Sequence, residues 1–160
     1  MTLVALGIIL FFLFGVAFLS KRRFGTLGLG LTAGALLASR SSRDVAIVLQ
    51  QNNVSLFDLS SVSLAAIILT LLPALVLLVS GPVYETKKMA VLGSLGFSLM
   101  GTMLLLGPIS ADMPIADPTT AEVFSFTATY EGMLIAAGVV LAVVDSWLTH
   151  NFKPLGKKKH

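Results

Sequence analysis

Residues 2–20, TLVALGIILFFLFGVAFLS, contain no charged side chain, and the run ends at three consecutive cations, Lys21, Arg22 and Arg23. As a helix rising 1.5 Å per residue it reaches roughly 28 Å, close to the hydrocarbon thickness of a bilayer. No other feature constrains the chain as strongly, because it recurs. Residues 62–80, 89–108 and 132–149 are further apolar runs of similar length. A soluble fold of 160 residues with 56 % apolar and 12 % charged residues has too little interior to hide them. With a mean hydropathy of +0.93 the natural solvent is lipid. The first run lacks the basic start of a cleaved leader, and its cations follow it, so it reads as a retained membrane helix.

The segment that decides the threading is 24–39, FGTLGLGLTAGALLAS, set between Lys21–Arg23 and Arg40. Cation placement separates two readings, since short loops rich in Lys and Arg stay cytoplasmic. If 24–39 crosses, then Lys21, Arg22, Arg23, Lys87, Lys88, Lys153, Lys157, Lys158 and Lys159 share one side, and only Arg40 and Arg43 lie opposite. If it dips in and returns, the cations divide almost evenly. Crossing is therefore expected, with the amino terminus outside and the carboxyl terminus in the cytoplasm. Sixteen helical residues reach only ~24 Å, and local thinning and arginine snorkelling cover the difference. Gly30 and Gly34 form a Gly-x-x-x-Gly pair that lets another helix approach. A phosphate-binding loop is not supported: the spacing is wrong and no Lys-Ser or Lys-Thr follows the glycines.

Residues 40–61 read as a separate short amphipathic helix and turn. Ser41 and Asp44 have capping-box spacing, Gln50–Asn53 end the helix, and Asp58 caps the next one. Pro73 predicts a kink in the 62–80 helix, with Thr70 placed to serve a freed carbonyl. Residues 81–88 form a Gly-Pro turn. Residues 109–131 form an outer loop in which Phe124, Phe126 and Tyr130 lie along the interface. The chain divides into one transmembrane domain, 1–149, and a basic cytoplasmic tail, 150–160.

Two helix faces are rich in small residues. In 89–108 they are Ala90, Gly93, Ser94, Ser98, Gly101 and Thr102; in 132–149 they are Gly138, Ala142 and Ser146. Such faces serve as packing seams against this chain, a second copy or another membrane protein. The alternative is a polar path through a channel or transporter subunit, built on Ser94, Ser98, Thr102, Asp145 and His150. Asp145 is the one acid inside an apolar run, and Trp147 beside it places it at the inner headgroup level. There a salt bridge to Lys21, Arg22, Arg23 or Lys153 is expected. Lys21–Arg23, Lys87, Lys88 and Lys157–Lys159 set topology and attract anionic lipid. No spacing for a metal site, cofactor loop or catalytic pair is present, and nucleic-acid binding is not expected.

The stretches KRRFGTLGLGLTAGALLA and KKMAVLGSLGFSLMGTMLLL resemble the colicin V production protein family. In that family an arginine and a glycine open a short apolar crossing, and a later Leu-Gly pair precedes glycines at spacing four. Gly93 and Gly101 follow that spacing, Phe97 interrupts it, and Met100 stands where an arginine often precedes the last glycine. The resemblance covers about residues 1–108. It implies a small inner-membrane protein tied to secretion or envelope maintenance, with no catalytic residues to carry over. The expectation is thus an all-α polytopic bundle of five membrane segments, non-enzymatic and without cofactor, acting by helix packing with itself or a membrane partner.

Overall fold

The structure is a computed structural model that describes residues 2–54, 59–112 and 118–151. It is all-helical: α1 (Thr2–Ser20), α2 (Phe24–Gln51), α3 (Ser61–Ser80), α4 (Lys87–Asp112) and α5 (Pro118–Asn151). Consecutive helices run in opposite directions. At one end of the bundle the first residues of α2 touch the last turns of α5 and the end of α3. At the other end Ser60, before α3, donates its N–H to Asp112 at the close of α4, at 2.8 Å. Lys21–Arg23, Lys87 and Lys88 therefore cluster at the first end.

Three expected boundaries are corrected. Residues 24–39 and 40–51 are one continuous helix of 28 residues, not a short crossing followed by a second helix. No glycine or proline stands between Gly34 and Gln51 to stop α2, so Ser41 and Asp44 stay inside it and cap nothing. This continuity also leaves no place for a returning hairpin within 24–39. Helix α4 passes Pro108 and ends at Asp112. Helix α5 starts at Pro118, which suits a first turn because its missing N–H would be unpaired there anyway. The supposed outer loop 118–131 is therefore helical. Asp58 lies outside the described residues. Ser60 caps α3, its hydroxyl accepting from Ser63 N–H at 3.2 Å.

The end of α2 matches the expectation. Asn53 takes the left-handed conformation with φ 52°, and Val54 N–H bonds Leu49 O at 3.0 Å.

Helix α2 is the central element, packed on α3, α4 and α5. Its glycines let the neighbours in. A Cβ on Gly34 would stand 2.7 Å from Leu69 O and overlap Thr70 O. One on Gly30 would stand 3.1 Å from Ala74 Cα. One on Gly28 would stand 3.0 Å from Ala142 Cβ of α5. Pro73 stays inside an unbroken α3 and leaves the Leu69 carbonyl without its helical donor. Thr70 does not serve that carbonyl; its hydroxyl bonds Ala66 O at 2.7 Å. The backbone at Gly34 fills the space in front of Leu69 O instead.

Among the described residues three helices are long and apolar enough to cross a membrane, not five: α3, α4 and the part of α5 over Ala121–Leu148. Helix α1 is 19 residues long and uncharged over Thr2–Ser20, and its described apolar stretch is Leu6–Ser20. Helix α2 falls short because it carries Arg40, Arg43 and Asp44, and because glycines replace large apolar side chains over its first half. Phe24, Gly25, Leu27, Gly28, Gly30, Leu31, Gly34 and Ala38 are buried by protein. A helix shielded by its neighbours needs few large apolar side chains on its outer face, and this lowers its hydropathy.

Candidate functional site

Polar groups converge at the end of the bundle where α2 begins. Helices α1 and α2 are joined by Lys21–Arg23, and Lys21 adopts φ 52°, in the left-handed region. This turn pairs with the α3–α4 connection: Tyr84 N–H bonds Lys21 O at 2.8 Å and Arg23 N–H bonds Pro82 O at 3.0 Å. The Arg22 guanidinium then reaches the end of α3. It donates to Leu78 O at 2.9 Å, to Val79 O at 2.6 Å and to Gly81 O. The last carbonyls of a helix have no partner within it, and here one fork of donors serves three acceptors.

The matching problem at the start of α2 is solved from two other elements. The Tyr84 hydroxyl accepts from Phe24 N–H at 3.1 Å and donates to Asp145 Oδ2 at 3.2 Å. The same carboxylate oxygen accepts from Gly25 N–H at 2.8 Å. Arg23 lies over the Tyr84 ring at 5.4 Å. Burial pushes the Tyr84 phenol above its usual range, and the Asp145 carboxylate pushes the same way, against the Phe24 N–H and the Arg23 cation. Gly25 has no room for a side chain: a Cβ there would stand 2.7 Å from Ala142 O and 2.5 Å from Ser146 Oγ. A cleft of about 70 Å³ opens beside this network, lined by Arg23, Thr26, Pro82, Asp145 and Ser146. Ser146 Oγ is buried there without a hydrogen-bond partner.

Where a salt bridge was expected, the structure gives Asp145 two hydrogen-bond donors on other elements. It accepts a backbone N–H and a phenol, a role the sequence does not announce. Tyr84 and Gly25 are missed by sequence reasoning altogether. One signal was available: a basic residue, Arg23, stands where a helix start wants an acceptor, so the acceptor has to come from elsewhere. His150 falls in the last turn of α5, with its side chain outside the described ones; Lys153, Lys157, Lys158 and Lys159 lie outside the described residues.

The polar face of α4 is turned inward. Ser94, Ser98 and Thr102 are buried, and their hydroxyls donate to carbonyls of their own helix: Ala90 O at 2.6 Å, Leu95 O at 3.0 Å and Ser98 O at 2.7 Å. The glycines of that face meet neighbours. Gly93 receives the Tyr84 ring, and a Cβ on Gly101 would stand 2.9 Å from Leu13 Cδ1 of α1. Gly138 of α5 faces Met100 Sδ, 3.1 Å from where a Cβ would lie. The small-residue seams are therefore filled within one copy of the chain. The open glycines are elsewhere: Gly7 and Gly15 of α1, Gly107 of α4 and Gly132 of α5 have nothing within 4 Å of a Cβ position.

No family model matches the chain, and neither a curated protein nor a solved structure does. The resemblance to the colicin V production family stands only on the residues quoted for it.

Proposed function

We propose that the chain is a non-enzymatic integral membrane protein that works by helix packing with itself or a membrane partner. The observation that carries this reading is the division of its surfaces. Small residues fill the seams of α2, α4 and α5, while many large apolar side chains stay exposed on the outside of the bundle. Phe11 is 75 % exposed, Leu19 81 % and Val79 77 %. Surfaces of this kind need lipid or another protein to cover them. We place all five helices across the bilayer, with the amino terminus outside and the carboxyl terminus in the cytoplasm. Helix α2 crosses with its first ~24 Å, and its polar tail from Arg40 emerges on the outer side. The inner membrane, and a part in secretion or envelope maintenance, follow from the family resemblance.

Within this reading the contact surface shifts to α1. Gly93–Gly101 and Gly138–Ser146 are already covered, while Val4, Gly7, Ile8, Phe11 and Phe12 line an open apolar groove. A channel or transporter subunit has less support: the hydroxyls of α4 are bonded to their own backbone, and Asp145 holds the start of α2. Reporter fusions at residue 50 and at the carboxyl terminus should read opposite sides of the membrane. A shared side removes the five-crossing arrangement. Cysteines along Gly7–Gly15 should cross-link in membranes to a second copy or to a partner, and a strictly monomeric outcome removes the packing role.

A further inference from the structure

The first turn of α2 lacks a cap of its own. Its N-cap residue is Arg23, whose side chain makes no capping bond and whose charge sits at the positive end of the helix dipole. The missing acceptors come from Tyr84 and from Asp145, the latter 120 positions along the chain. Helix α5, in turn, has little apolar packing to fix its place. Only 11 % of its membrane-length span is buried, against 56 % for α4. It is apolar around much of its circumference, so sliding or turning it exchanges one greasy surface for another. The bond from Gly25 N–H to Asp145 Oδ2, like the seat of Ala142 against Gly28, exists in one register alone, and it is the polar one of the two. Gly25 provides the space for it, since any side chain there would strike Ser146 and Ala142.

The geometry points to Asp145 as a latch that holds the carboxyl-terminal helix in place on a fixed four-helix body. With the carboxylate on Gly25, the last turns of α5 sit against α2. With it withdrawn, α5 remains a helix in the lipid but loses its register and moves away from α2 at that end. Helix α5 is thereby the movable element of the bundle, whether the chain works alone or with a partner.

The chain has no cysteine, so spin-label pairs can be introduced directly. One pair joins Val79 of α3 to Trp147 of α5, both exposed; the reference pair joins Val79 to Leu19 of α1. Distances are measured by pulsed electron resonance in lipid vesicles, for Asp145→Ala and for the milder Asp145→Asn. The 79–147 distribution should broaden at least twofold while the 79–19 distribution stays as it is. Exchange of the Gly25 amide should quicken about tenfold or more, as expected when a part-buried donor loses a charged acceptor. Tyr84→Phe, which leaves Asp145 on Gly25, should broaden the 79–147 pair less. Unchanged 79–147 distances overturn the latch. So does equal broadening of both pairs, which would make Asp145 a general stabiliser of the bundle.

Discussion

Replacing Gly34 by alanine tests the α2–α3 seam most directly. The added methyl would stand 2.7 Å from Leu69 O and overlap Thr70 O, and both obstacles are backbone atoms. Neither can turn aside as a flexible side chain would, so α2 must move off α3 by about 1 Å. A gap of that size forfeits a quarter to a half of the dispersion energy of each contact it opens. Overpacking costs about 1–3 kcal/mol, and a clash against backbone belongs at the upper end. Alanine returns about 1 kcal/mol through its better helix propensity. The clash wins, with a net loss of about 2 kcal/mol, equivalent to a roughly thirtyfold shift toward the opened seam.

A cysteine replacing Ala65, buried on α3, reports opening through its rate of maleimide labelling in mild detergent. Gly34→Ala should raise that rate roughly thirtyfold. Gly7→Ala, where nothing lies within 4 Å, carries the propensity gain alone and should leave it unchanged or slightly lower. Equal rates in the two variants would refute the argument, because they would mean that α2 and α3 do not approach each other at Gly34.

Arg22→Lys should lower bundle stability by about 1–3 kcal/mol, since a point charge cannot serve the three carbonyls that the guanidinium fork reaches; thermal unfolding in detergent reads the loss, and a lysine variant equal to the parent would count against the cap. Tyr84 gives a pH dependence. Its phenol is held above the ordinary value of 10.0 in the folded chain, first by burial. The folded state therefore favours the neutral phenol, and this contribution is complete below pH 10 and is lost as pH rises through the folded value. Tyr84→Phe should remove that alkaline wave from the stability profile and delay no other transition; a profile unchanged above pH 10 would argue against the burial.

Helix existence was readable because the uncharged apolar runs have the length of a helix: 2–20 and 62–80 return almost residue for residue as α1 and α3. The continuity of α2 past residue 39, the end of α4 and the start of α5 were not readable, and the reasons differ. At 40–51 the sequence turns polar, which resembles a boundary, yet polarity changes the surroundings of a helix without breaking its hydrogen bonds. Pro108 removes a helical hydrogen bond and so resembles a stop, yet α4 runs on through it to Asp112. The seams were half legible. Gly30 and Gly34 announce a close approach by their spacing, but nothing in their spacing names α3 as the neighbour. Likewise, the stripe of Ser94, Ser98 and Thr102 looks the same whether it faces a pore or a packed interior. The burial of Ser94 and Ser98 beside a core of Leu27, Leu31, Phe97 and Met100 shows a packed interior among the described residues.

The polar contacts at the two ends follow one electrostatic rule. Asp145 lies near the close of α5 and Asp112 is the last residue of α4, where the helix dipole disfavours an anion. Each instead serves the start of an antiparallel neighbour, Asp145 at Gly25 of α2 and Asp112 at Ser60 before α3. Arg22 does the converse, placing a cation on the closing carbonyls of α3. Alternating helix directions make this exchange available, because every end then meets an end of opposite polarity. Terminal N–H and C=O groups have no partner within their own helix, so these three residues supply partners that the helices lack. A parallel neighbour would set each carboxylate against another closing turn, where it would be repelled. The up-and-down order of the helices and the identity of the capping residues are thus one constraint, and a charge reversal at Asp145 or Asp112 acts on a helix other than its own.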